Sequence, residues 1–130
     1  MAQLVIEVQK RRDKIYEITV RDSVGVVVNL TGASAKLSIR LEENEPTVIK
    51  TYSTTPSGSE GTINITDPTG GKLQVLFDDT DFAAQVIPKG KTGVEWRWDL
   101  LVVTSAGTRL DSRNASDYVH RFLLKTSITD

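Results

Sequence analysis

Catalysis at neutral pH needs a nucleophile beside a base, a set of metal ligands, or a loop that cradles phosphate. This chain has few residues suited to any of these. His120 is the only histidine, no serine sits in a Gly-x-Ser-x-Gly elbow, and there is no cysteine to serve as nucleophile, thiolate ligand or disulfide. His120 falls in an alternating run where Tyr118, His120, Phe122 and Leu124 share one face, so it reads as a hydrogen-bonded strand histidine. Asp78, Asp79 and Asp81 raise the calcium question, but the glycine a calcium loop needs is missing and an apolar segment follows directly. The carboxylates suit helix capping better. Gly90 and Gly93 flank Lys91 without forming a phosphate-loop pattern. The expectation is a protein without catalytic residues, metal or cofactor.

Trp96 and Trp98 lie two apart and so face the same way, as a sugar-stacking platform on a β-sandwich would require. Glu95, Arg97 and Asp99 alternate with them, however, and charges belong in water. The tryptophans are therefore assigned to the core, with a carbohydrate-binding module as the alternative reading. Lys10, Arg11 and Arg12 form a short basic run with no interleaved aromatics, which fits a solvated turn better than a nucleic-acid contact. The 16 Lys and Arg against 17 Asp and Glu leave a formal net charge of −1, so a generally basic nucleic-acid binder is not expected. At 38% hydrophobic and 25% charged residues over 130 positions, the composition is that of one folded domain. No apolar stretch approaches a membrane span, and residues 1–12 place their positive charge after the apolar run, the reverse of a signal peptide.

The elements that would carry these residues repeat with period two. Tyr16, Ile18 and Val20 alternate with Glu17 and Thr19. Ala35, Leu37, Ile39 and Leu41 alternate with Lys36, Ser38 and Arg40, and Leu73, Val75 and Phe77 continue the pattern. The longest run takes Val94, Trp96, Trp98, Leu100 and Val102 on one side. Turn chemistry separates the runs: Asp22 with Gly25, Thr31 with Gly32, Thr69-Gly70-Gly71, Ser105-Ala106-Gly107, and an exposed polar loop over 54–61. One segment departs from the pattern. Asp79 or Thr80 could cap a short helix carrying Phe82 and Val86, with Pro88 and Gly90 ending it. Nine or ten strands without βα alternation predict an all-β fold, an antiparallel immunoglobulin-like β-sandwich with one short helical turn. A closed barrel competes with it.

The stretch 15–40, IYEITVRDSVGVVVNLTGASAKLSIR, resembles the immunoglobulin-like N-terminal domain of phage baseplate upper proteins. Asp22, Gly25, Leu30, Thr31, Gly32 and Ala33, followed by Leu37 and Ile39, carry the likeness. The order of Gly71 to Val75, of 80–86 and of 93–103 is also similar. The resemblance implies a non-enzymatic β-sandwich module of a tailed-phage virion, assembled in the host cytoplasm. Its partners would be other virion proteins or further copies of itself, as a tail or baseplate adaptor, a head–tail joining piece or a capsid decoration. The family carries no catalytic residues to transfer. Residues 1–9 precede the similar region and alternate Leu4, Ile6 and Val8 with Val5, Glu7 and Gln9. We expect this segment to dock along an edge of its own sandwich or of a neighbour, with Leu4, Ile6 and Val8 as candidate assembly contacts.

Overall fold

In a computed structural model of the chain, the alternating runs become strands because only a pleated strand sends every second side chain to the same face. The structure describes residues 2–9, 13–22, 24–41, 48–82, 85, 87, 90, 93–111 and 118–125; for 2–4, 111 and 118–120 it describes the backbone. Nine strands lie within these residues: β1 (Ala2–Gln9), β2 (Lys14–Thr19), β3 (Ser34–Arg40), β4 (Val48–Ser53), β5 (Gly61–Asp67), β6 (Lys72–Phe77), β7 (Gly93–Val103), β8 (Arg109–Asp111) and β9 (Tyr118–Lys125).

The hydrogen-bonded order is β1-β9-β7-β3-β4-β5-β6-β2, with β8 pairing the far end of β7. This path is narrowest between β4 and β5, where only Tyr52↔Gly61 and Ser53↔Thr62 pair. There the sheet folds over. Phe77 of β6 meets Tyr52 of β4 edge-on at 4.9 Å and Phe122 of β9 at 5.7 Å, so β5-β6-β2 packs face to face on β1-β9-β7-β3-β4. Strands β2, β6 and β5 thus take the B, E and D places of an immunoglobulin-like sandwich, and β3, β7, β9 and β4 the C, F, G and C′ places. The all-β sandwich expected from the residue pattern is what the chain forms.

One detail of that expectation is corrected, and the short helical turn is not found among the described residues. The sheet is mixed rather than antiparallel, because β1 runs parallel to β9 and β4 parallel to β5. Between β6 and β7 the described backbone makes turns, with Asp81 N–H donating to the Asp78 carbonyl and Gln85 N–H to that of Phe82. Asp78, not Asp79 or Thr80, supplies the local acceptor: its Oδ1 takes bonds from Thr80 N–H at 2.9 Å and Thr80 Oγ1 at 2.8 Å. Ala83, Ala84, Val86 and Pro88 lie outside the described residues.

The core is aromatic at its centre. Phe122 is fully buried and stacks on Trp96 at 5.9 Å with 9° between the planes, while Phe82 lies 5.3 Å from Phe122. Trp96 and Trp98 are 6% and 4% exposed, and the Trp98 indole N–H donates to the Arg121 carbonyl at 3.1 Å. An indole buried this way keeps its one donor satisfied.

Candidate assembly surfaces

The corner that carries the family resemblance lies between β2 and β3. Asp22 Oδ1 accepts bonds from Val24 N–H at 3.0 Å and Val26 N–H at 2.9 Å, and Gly25 N–H donates to the Asp22 carbonyl at 3.0 Å. Gly25 has φ +88°, the left-handed region that a glycine enters without Cβ strain. Farther along, Asn29 Oδ1 accepts from Thr31 N–H at 2.9 Å, and Ala33 N–H donates to the Leu30 carbonyl at 3.0 Å. The corner is tied to the β5–β6 turn by Val20 N–H to the Gly71 carbonyl and Leu30 N–H to that of Pro68, both 2.8 Å. Gly71 combines φ +68° with a close approach: a Cβ there would meet Val27 Cγ1 at 2.6 Å and the Val28 carbonyl oxygen at 2.8 Å. Asp22, Gly25, Leu30 and Gly32 thus shape the backbone, and they leave Val24 and Val26 exposed at the tip.

The outward face of the larger layer is laid out by register. Arg121, Arg97 and Arg40 are successive cross-strand partners on β9, β7 and β3. Glu95 lies beside the first two, forming ion pairs with Arg97 at 3.0 Å and with Arg121, and Asp99 sits 3.8 Å from Arg40. The guanidiniums of Arg97 and Arg121 hold the Glu95 carboxyl below the usual carboxylate range. Lys125 pairs with Glu7 at 3.7 Å on the same face. These half-exposed pairs set which face is wet rather than adding much stability.

At the far end of β6 three exposed carboxylates, Asp13, Asp78 and Asp79, come within 4.8 Å of one another. Asp79 N–H donates to Asp13 Oδ1 at 2.8 Å. Hydrogen bonding with Asp78 raises the Asp79 carboxyl, helped by desolvation and the nearby Asp13 charge, whereas the bonds from Thr80 lower Asp78. Asp81, grouped with them in the residue pattern, turns away from this cluster. Its Oδ2 accepts the Tyr52 hydroxyl at 2.7 Å and Asp78 N–H at 3.0 Å, and its Oδ1 lies 3.6 Å from Lys50 Nζ. Burial, then the bond to Asp81, pushes the Tyr52 hydroxyl far above its ordinary range. Tyr52, Asp81 and Lys50 therefore form a structural clamp, which also reaches the loop after β4 through Lys50 Nζ to the Ser59 carbonyl at 2.7 Å. Spacing gave no sign of it, because Tyr52 and Asp81 are 29 residues apart.

The candidate contacts of the first strand are redistributed. Ile6 and Val8 are 0% and 1% exposed and point into the core with Phe122 and Leu124, so β1 docks along the edge of its own sandwich, one of the two placements expected for it. The placement has a simple cause: an alternating strand on a sandwich edge buries its apolar side within its own chain when that side can reach the core. Leu4 pairs with His120 in the β1–β9 register, and the side chains of both lie outside the described residues. Lys10, Arg11 and Arg12 lie outside them too. The burial of Trp96 and Trp98 likewise removes the stacking platform that the carbohydrate reading needed.

No protein-family model matches the chain, and no curated protein matches it.

Proposed function

We propose that this chain is a non-enzymatic structural protein of a tailed-phage virion, assembling with other virion proteins or with itself. The observation that carries the reading is the β2–β3 corner. The residues that bear the resemblance to baseplate upper proteins, Asp22, Gly25, Leu30 and Gly32, are those whose hydrogen bonds and backbone angles turn the chain between the two layers. A match of that kind supports a shared sandwich module more strongly than scattered apolar identities would. The module offers sheet edges and a charge-patterned face, surfaces suited to docking rather than turnover.

The test is compositional. Tailed particles purified from cells that carry this chain's gene should contain it at a fixed copy number, measured by quantitative mass spectrometry. Electron microscopy should then locate it at the tail, the connector or the capsid surface. Particles complete in every other subunit but lacking this chain would overturn the reading.

A further inference from the structure

The strand β1 is attached to the sandwich differently from every other strand. Among the described residues it stands at the end of the ladder and pairs with β9 alone, in parallel, over eight residue pairs from Ala2↔Tyr118 to Gln9↔Lys125. Parallel pairing is slightly less stable per residue than antiparallel. Toward β2, on the facing layer, the described residues show a single hydrogen bond, the Tyr16 hydroxyl donating to the Val5 carbonyl at 3.4 Å. Lifting β1 away breaks one ladder and leaves the pairing of β9 with β7, and of β7 with β3, untouched.

What β1 would leave behind is a receptor with a defined occupant. Ile6 and Val8 fill an apolar slot beside Phe122 and Leu124, all four buried. An empty slot would expose those rings and methyls and leave the β9 edge unpaired, a state that recruits a strand. The strand that fits already sits there: eight residues, parallel, with apolar side chains at alternate positions. A second copy carries the same strand.

We propose that β1 is an exchangeable strand, each copy of this chain lending Ala2–Gln9 to the β9 edge of another. The contacts are the same in cis and in trans, so exchange is governed by local concentration, which is high where copies are held side by side. Reciprocal exchange closes a twofold dimer. The inference rests on the assembly reading and names its partner as a second copy.

The cysteine-free background makes the test direct. Glu7 and Leu123 are partners in the β1–β9 register and lie on its outward side. A Glu7→Cys/Leu123→Cys variant is concentrated, oxidised and run without reductant, with the bond mapped between positions 7 and 123 by mass spectrometry. Each single-cysteine variant gives the background. Exchange is expected to put more than half of the mapped bonds between chains, doubling the mass from 14.3 kDa. Mapped bonds confined to single chains overturn the proposal, and so does failure to form that bond while tryptophan emission stays native. Native mass spectrometry of the unmodified chain separates the two levels. Oligomers without interchain bonds at these positions sink strand exchange and leave the assembly reading standing.

Discussion

Replacing Tyr52 with phenylalanine tests the clamp between β4 and the turn after β6. Tyr52 is fully buried, and its hydroxyl donates to Asp81 at 2.7 Å. Removing it takes one hydrogen bond from a carboxylate that keeps Lys50 and the Asp78 amide as partners. A bond to a charged acceptor contributes about 1.5–3 kcal/mol, so Tyr52→Phe should cost roughly 2 kcal/mol near neutral pH. The effect changes with pH in a calculable way. Burial and Asp81 raise the Tyr52 hydroxyl above its ordinary range in the folded chain. Below the unfolded-state value near 10 neither state ionises, and the contribution of Tyr52 is fully present. Above it the unfolded chain releases the proton while the folded chain keeps it. The native state then binds more protons, and stability falls by about 1.4 kcal/mol one unit past the unfolded value. The phenylalanine variant lacks this loss. The stability gap between the two proteins, measured by urea unfolding, should therefore shrink from about 2 to about 0.6 kcal/mol by roughly pH 11. Tyrosinate absorbance gives a second readout, since Tyr52 should ionise only as the fold is lost. A gap that stays constant with pH, or a Tyr52 that ionises in the native protein, would refute the reasoning.

Phe122→Ala removes the ring that touches Phe77, Phe82 and Trp96 and should cost about 3–5 kcal/mol in urea unfolding, a large share of a small domain's stability. Gly71→Ala should destabilise by roughly 2–4 kcal/mol, because a positive φ and close contact with Val27 and Val28 act together. Gly25→Ala has the same backbone handicap and nothing within 4 Å of the added methyl, so only about 1 kcal/mol is expected. In carboxyl-detected NMR titrations Asp79 should titrate above Asp78. Asp13→Asn should lower Asp79 by removing one of its neighbouring charges.

The period-two runs already named the wet and dry sides of the strands. Trp96 and Trp98 had to point inward because Glu95, Arg97 and Asp99 share their strand, a constraint that acts between neighbours in the chain. Turn chemistry was equally local: Asp22 with Gly25, and Gly71 after Thr69, mark corners through their own side chains and angles. Tertiary structure decided what no local pattern carries. Alternation in β1 shows that one side is apolar, but not that it runs parallel to β9 and spends Ile6 and Val8 on its own core. The run 79–86 has helical spacing, but that spacing does not say that Phe82 packs beside Phe122 and Trp96, or that Asp78 and Asp81 bond to each other across one turn. Asp81 looked like a third member of an acidic patch until folding brought Tyr52 and Lys50 against it. Periodicity reports the side a residue faces, whereas partners are chosen by the burial and pairing of segments far apart in the chain.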